Sequence, residues 1–261
     1  MTPWDVLLIG AGGFAAGAVN SMAGGGTFFS FPALLAVGLS PVVANASNSV
    51  ALWPGSLSGA WAYRHELAGY RRYLLPMGIA SFIGGAAGGL LLLVAGDARF
   101  AALIPWLLAF ATALFAFSPQ LSAALKRIRP ARSSGPGSGQ GAGSPMGWAV
   151  QLLVSIYGGF FGAGMGILMM ASLAIGGHED VQHINALKNL LSAVVYSVTV
   201  LTFIIAGAVS WPHTGVMLVT ATLGGYWGAR VARKIQGPWL RRTVIAVGAA
   251  LTVYYFYKLL A

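Results

Sequence analysis

The distribution of apolar and polar positions along the chain predicts a bundle of helices. Apolar runs occupy residues 4–22, 27–38, 43–62, 73–95, 100–118, 147–161, 163–176, 183–206, 214–232 and 240–258. Seven of them approach the roughly 20 residues that an α-helix needs to cross about 30 Å of hydrocarbon. The pattern therefore predicts an all-α polytopic membrane protein.

Three runs are shorter, and they adjoin glycine-rich motifs. Run 27–38 follows Gly24-Gly25-Gly26, and runs 147–161 and 163–176 flank Ala163-Gly164-Met165-Gly166. Glycine is a poor helix former, so a helix is expected to break at each motif. We predict two helical hairpins or broken helices whose glycine tips lie within the membrane.

Composition agrees with a membrane protein. The chain is 57% hydrophobic and 8% charged, with a mean hydropathy of +0.76, whereas a soluble domain carries about 25% charged residues. The absence of cysteine excludes disulfides, thiol catalysis and cysteine metal sites. A net charge of +10 could suit a nucleic-acid-binding protein, but the basic residues lie in short loops between apolar runs, so we expect no nucleic-acid partner.

The basic residues predict which loops face the cytoplasm of a multi-pass inner-membrane protein. They cluster in three loops, at Arg64, Arg71, Arg72; at Lys126, Arg127, Arg129, Arg132; and at Arg230, Arg233, Lys234, Arg241, Arg242. The stretches 96–99 and 207–213 are poor in positive charge. Residues 1–10 lack lysine and arginine, so we expect no cleaved signal peptide there. With the basic loops inside, the first hairpin dips from outside and the second from inside.

The two halves of the chain resemble each other at an offset of 140 positions. Gly24 and Gly26 match Gly164 and Gly166, and Asn45-Ala46 matches Asn185-Ala186. Because cytoplasmic stretches match external ones, we predict inverted repeats, each a glycine-tipped hairpin plus three transmembrane helices. The predicted domains are 1–118, a flexible cytoplasmic linker 119–146 rich in glycine and serine, and 147–261.

The glycine tips are candidate anion-binding elements. Backbone N–H groups at a helix start point toward a cavity and carry partial positive charge. Our candidates here are Gly24, Gly25, Gly26, Thr27, Gly164 and Gly166. The alternative is that these glycines only allow close helix packing. For the glycines spaced four apart, we predict packing, namely at Gly84, Gly85, Gly88, Gly224, Gly225 and Gly228.

Lys188 is the only charge that we predict inside a span. Helical spacing groups it with Asn185 and Asn189, and the first half offers Asn45, Asn48 and Ser49 as further candidates. A buried lysine marks a functional site by default, and all five carboxylates fall in predicted loops. A bound anion would supply the missing countercharge. The alternative is a lysine that reaches back to the cytoplasmic surface.

Several functions are excluded or disfavoured by what the chain lacks. It has no phosphate-binding loop for ATP hydrolysis and no aspartate in a predicted span, so we expect neither an ATPase nor an intramembrane protease, and no enzyme of another kind. We expect no cofactor. His178, Glu179, Asp180 and His183 match no metal-binding spacing. They fit a solvated loop better, with a proton relay as the alternative.

These residues together resemble the TauE/SafE family of sulfite exporters and organosulfur-anion permeases. The resemblance rests on Gly24-Gly25-Gly26 followed by Phe31-Pro32-Ala33-Leu34-Leu35, on the stretch 44–49, and on the second copy at 162–166 and 185–189. It covers nearly the whole chain outside the linker, with departures at Ser47, Met165 and Leu187. The resemblance implies transport of sulfite, a sulfonate or another small sulfur oxyanion.

We therefore expect a permease for a small anion that works by alternating access, in the direction of export. The candidate residues would bind the anion between the two glycine tips, with Lys188 supplying charge. Two alternatives stay open, a passive anion channel and a non-transporting membrane subunit or scaffold. The expected partners are the anion and the lipid bilayer, and a homodimer also stays open.

Overall fold

A computed structural model describes residues 1–23, 25–64, 67, 71–128, 145–175, 181–231 and 237–260. Regular secondary structure in these ranges is entirely helical, which confirms the predicted all-α class. The helices are α1 (Pro3–Ala23), α2 (Thr27–Ala36), α3 (Pro41–Ala62), α4 (Arg71–Ile128), α5 (Pro145–Phe160), α6 (Met165–Ile175), α7 (Val181–Ile205), α8 (Trp211–Val231) and α9 (Gly237–Leu260).

Helix α4 consists of two segments that meet at Gly96. This glycine has φ 70° and ψ 175°, a conformation that other residues rarely adopt. We call the segments α4a (71–95) and α4b (97–128), and they match two predicted spans. Residues 119–128 of the predicted linker are helical and continue α4b, while residues 129–144 lie outside the described residues.

Three described stretches are long and apolar enough to cross a membrane. They are Leu74–Ser118, which includes the bend at Gly96, His183–Ile205 and Arg241–Leu260. Helices α1, α3 and α8 have 21, 22 and 21 residues, so at about 1.5 Å per residue each also reaches roughly 30 Å. Length and composition thus fit the predicted multi-pass bundle.

Each glycine motif ends one helix and is followed by a shorter one. The first elbow, Gly25 and Gly26, joins α1 to α2, and the second elbow, residues 161–164, joins α5 to α6. Gly162 and Gly164 have φ of 81° and 78°, and these left-handed conformations favour glycine. Helices α2 and α6 contain 10 and 11 residues, which corresponds to only about 15 Å each. Both are therefore half-length arms, as the short runs predicted.

The first helix of each half packs against a helix of the other half. A methyl group on Gly17 of α1 would lie 1.9 Å from the carbonyl oxygen of Ala221 on α8. On the other side of the bundle, a methyl group on Gly88 of α4a would lie 2.1 Å from the carbonyl oxygen of Ile156 on α5. Such distances mean that the helix backbones touch. The structure confirms close packing for four of the glycines predicted to have that role, Gly84, Gly85, Gly88 and Gly224.

Contacts between helix ends show how the bundle is arranged. Helices α1 and α8 run parallel, since Gly13 of α1 lies against Met217 of α8 and Gly17 lies against Ala221. The backbone N–H of Ser210, just before α8, donates to Ser47 of α3 at 3.0 Å. Asp97 accepts a 2.8 Å hydrogen bond from the backbone N–H of Val42 at the start of α3. The starts of α1, α3, α8 and α4b therefore share one end of the bundle, which we call the α3-start end.

Helices α3 and α7 run in opposite directions. Trp53 donates a 2.8 Å hydrogen bond to Ser197, whereas Gly59, six positions later, lies against Asn189, eight positions earlier. The start of α7 therefore lies opposite the α3-start end. This grouping of helix ends is the one that the predicted topology requires. Which end faces the cytoplasm remains a prediction from charge.

We expect Asp97→Ala to lower the stability of the protein by about 1 kcal/mol. The Ser40 side chain makes no capping bond at the start of α3, so the carboxylate of Asp97 is the side chain that satisfies the N–H of Val42 and faces the positive end of the helix. Thermal unfolding in detergent measures the effect. Arg99→Ala removes an exposed charge from the same turn and serves as the control, and equal loss in both variants would contradict this role for Asp97.

Candidate functional site

Helices α2 and α3 of the first half contact the second elbow in the interior of the bundle. Asn45 of α3 donates a 3.1 Å hydrogen bond from Nδ2 to the carbonyl oxygen of Phe160, at the edge of the second elbow. Phe31 of α2 meets Phe161 edge to face, with ring centroids 5.5 Å apart. The short arm of the first hairpin therefore contacts the tip of the second.

Tyr196 of α7 contacts the second elbow. A methyl group on Gly162 would lie 3.4 Å from the Tyr196 hydroxyl. Tyr157 braces the second elbow from the other side, because its hydroxyl donates to the carbonyl oxygen of Ala163. The sequence analysis did not select either tyrosine, although a tyrosine within an apolar helix is itself a polar signal.

A first group of polar side chains lies beside the first elbow. The hydroxyl of Ser30 donates to Oδ1 of Asn48 and lies 3.3 Å from the carbonyl oxygen of Gly26. Ser30 is fully buried and Asn48 is 2% exposed. Ser49 instead bonds its own helix, through the carbonyl oxygen of Asn45 at 2.9 Å.

Asn45 carries a buried oxygen that nothing satisfies. The residue is 1% exposed, and Oδ1 has no hydrogen-bond partner in the described part of the chain. The orientation of the amide is fixed, since only the NH₂ group can donate to the Phe160 carbonyl. An unsatisfied buried acceptor costs about 1–3 kcal/mol. In this conformation the unpaired oxygen of Asn45 therefore lowers the stability of the contact between the two halves.

A second group lies beside the second elbow. A methyl group on Gly166, the second residue of α6, would lie 3.6 Å from Cδ of Lys188. Lys188, Asn185 and Asn189 are all partly exposed, although they lie on a helix in the interior of the bundle. Within the described ranges, no carboxylate and no hydrogen-bond acceptor pairs with the Lys188 ammonium. Lys188 is thus a cation next to a helix start without a countercharge in those ranges.

The candidate residues fall into two groups at different depths. Asn48 lies five positions before Trp53, while Lys188 lies nine positions before Ser197, which Trp53 contacts. Because α3 and α7 are antiparallel, the two residues lie about 15–20 Å apart along the helix pair. One tight cluster that joins Lys188 to Asn45 and Asn48 is therefore not formed in this conformation.

Some candidates lie outside the description. Gly24, His178, Glu179 and Asp180 are outside the described residues. In the described part of the chain, no group of three or more histidine, cysteine, aspartate or glutamate side chains could hold a metal ion.

Comparisons with known proteins define the class. The chain is 26% identical over 252 residues to a probable membrane transporter protein of Haemophilus influenzae, covering 94% of this chain and 92% of the relative. It is 28% identical over 243 residues to the probable membrane transporter protein YfcA of Escherichia coli K12, with 93% and 86% covered. A probable membrane transporter protein ORF9 of Sinorhizobium is 25% identical over 246 residues, with 92% and 88% covered. Together with the helical bundle, these relatives identify a membrane transporter rather than an enzyme.

The family follows from a second comparison. The family model described as Sulfite exporter TauE/SafE matches residues 9–255. The chain therefore belongs to the TauE/SafE family, as its glycine and asparagine motifs indicated. No solved structure shows a significant match.

Proposed function

We propose that this protein is a permease that exports a small anion, such as sulfite, a sulfonate or a related sulfur oxyanion, across the inner membrane. The observation that carries the proposal is the position of Lys188, whose side chain lies beside Gly166 at the second elbow. An ammonium at this depth is costly without a countercharge. A bound anion would supply that charge.

The substrate would bind at two levels in turn. At one level, the charge of Lys188 attracts the anion. The hydrogen-bond donors at this level are Asn185 and Asn189 on the same helix, and the backbone N–H groups of the second elbow next to Gly164 and Gly166. At the other level, the side-chain amide of Asn48 would donate a hydrogen bond to the anion. Ser30, Thr27 and the first elbow lie next to this level, and the buried Asn45 lies behind it. Gly24 belongs to this proposed level by sequence. The two levels hold equivalent residues, since Asn48 and Lys188 are related by the offset of 140.

Alternating access would arise from movement of two inverted halves relative to each other. The packing supports this proposal, because Gly224 of α8 lies against α1 as Gly84 of α4a, its counterpart at the offset of 140, lies against α5. Each half therefore supplies one hairpin and one helix, α4a or α8, against which the hairpin of the other half packs. The basic ends of the helices would face the cytoplasm, as their charge predicts.

Flux measurements on the purified protein in liposomes test the proposal. We expect saturable uptake of labelled sulfite that sulfoacetate inhibits, and a thermal shift with these anions that exceeds the shift with chloride. Flux without saturation, together with large unitary currents in planar bilayers, would instead indicate a channel. No flux, together with stable co-purification of another protein, would indicate a non-transporting subunit.

A further inference from the structure

We propose that Arg241 of α9 is a positioning residue that holds in place the part of α4b on which both elbows rest. We call this part, residues 111–116, the support segment. Arg241 supplies it with hydrogen bonds in place of the backbone N–H that Pro119 lacks. The inference rests on the proposed transport function, because the elbows belong to the proposed anion site. Arg241 acts through α4b and does not touch the anion.

Both elbows contact the support segment. A methyl group on Gly25, in the first elbow, would lie 2.8 Å from Cζ of Phe115. A methyl group on Gly164, in the second elbow, would lie 3.4 Å from Cδ1 of Leu114 and 3.7 Å from Cα of Ala111. These three residues of α4b span little more than one helical turn. A shift of this turn would therefore move the contacts of both elbows together.

The first elbow lies between α4b and α9. The buried ring of Phe115 meets Phe28 of α2 edge to face, with ring centroids 5.7 Å apart. On the other side, a methyl group on Gly25 would lie 3.2 Å from Cγ1 of Val244, which lies about one turn after Arg241 on α9. The position of this elbow thus depends on how α4b and α9 are held relative to each other.

Arg241 links α9 to the support segment through two hydrogen bonds. Its Nε donates to the carbonyl oxygen of Phe115 and its Nη2 to that of Ala116, both at 3.1 Å. In a regular α-helix the Phe115 carbonyl would accept from the N–H of residue 119, but Pro119 has no N–H. The hydroxyl of Ser118 donates to the same carbonyl at 3.0 Å, from within α4b. Arg241 therefore both satisfies this carbonyl and ties the turn to α9.

The repeat does not account for this link. At the offset of 140, Arg241 corresponds to Ala101 and Pro119 corresponds to Leu259. An alanine side chain cannot donate a hydrogen bond, and a leucine keeps its backbone N–H. The guanidinium and the proline therefore occur together, at one end of the pair formed by α4b and α9.

Hydrogen–deuterium exchange of the purified full-length protein in detergent tests the inference without a substrate. Arg241→Met removes the donors and keeps much of the apolar length of the side chain. We expect the backbone amides of both elbows, in peptides that cover 25–30 and 160–168, to exchange about two- to tenfold faster, the range that corresponds to the loss of one hydrogen bond. Peptides from α8 should exchange at the natural rate.

Two further variants make the test specific. Arg242→Met removes the same charge from the exposed neighbouring residue and should leave the exchange of both elbows unchanged. Pro119→Ala in the Arg241→Met background restores a backbone N–H for the Phe115 carbonyl, so the exchange should return toward the natural rate. Unchanged exchange in Arg241→Met, equal acceleration in Arg242→Met, acceleration that includes α8, or no recovery in the double variant would overturn the inference.

Sulfite flux in liposomes separates positioning from stability. Arg241→Met should raise KM about two- to tenfold, because both elbows supply donors to the anion, with an unchanged maximal rate. A lower maximal rate with the natural KM would show a merely structural residue. Faster exchange at the elbows without any anion flux in the natural protein would remove the proposed function and leave the link, whereas saturable flux with unchanged exchange would remove Arg241 alone.

Discussion

A Lys188→Met variant is expected to fold normally and to transport its anion far less efficiently than the natural protein. Methionine keeps most of the apolar length of the side chain beside Gly166 but removes the charge. A hydrogen bond to a charged group contributes about 1.5–3 kcal/mol, so we expect binding to weaken about ten- to hundredfold. Saturable sulfite flux in liposomes, analysed as KM and maximal rate, measures the loss.

A lysine elsewhere on the protein provides the control for this prediction. Lys258 lies exposed in the last turn of α9, and Lys258→Met removes the same charge at a helix end. We expect its flux to equal that of the natural protein. Equal flux in Lys188→Met and the natural protein would remove Lys188 from the mechanism and favour a lysine that reaches the membrane surface.

Gly88→Ala is expected to be the most damaging of the conservative glycine substitutions in α4a. The added methyl group would lie 2.1 Å from the carbonyl oxygen of Ile156 and 2.8 Å from the backbone nitrogen of Phe160. These are backbone atoms of α5, so no side-chain rotation can relieve the overlap and the helices must separate. Such overpacking costs about 1–3 kcal/mol or more, which thermal unfolding in detergent would detect.

The matched control lies in the same segment. Gly78 has no atom within 4 Å of the position that a methyl group would occupy. Because alanine is about 1 kcal/mol more favourable than glycine within a helix, Gly78→Ala should be neutral or stabilising. If both variants unfolded at the same temperature, the close approach of α4a and α5 around Gly88 would be wrong.

Most of the fold could be predicted from the sequence because apolar runs and helix breaks are local signals. Each predicted run became a helical segment, and the bend at Gly96 fell between the predicted spans 73–95 and 100–118. The glycine spacing around Gly84 and Gly88 also predicted close packing correctly. Helix α4b continues beyond the apolar run, through the polar residues after position 118, to Ile128.

The arrangement of the site could be predicted only in part. Lys188 and the elbows stood out because charge and consecutive glycines are rare in apolar sequence. Their relative depths depend on the antiparallel packing of α3 and α7, which no local pattern contains. The offset that relates Asn48 to Lys188 did hold a clue, since inverted repeats bring equivalent residues to opposite sides of the bundle centre. Tyr196 was missed because Gly162, which it contacts, lies far away in the sequence.

The packing of each first helix on the opposite half also fixes when the protein can be completed during synthesis. Helix α5 is synthesised after α4a, so its packing partner is already present. Helix α1 has no such partner until translation has passed Trp211, where α8 begins. Until then, the glycine face of α1 around Gly17 has no backbone partner. Contacts so distant in sequence form slowly. During most of translation, lipid or the insertion machinery must therefore cover the face of α1 against which α8 later packs.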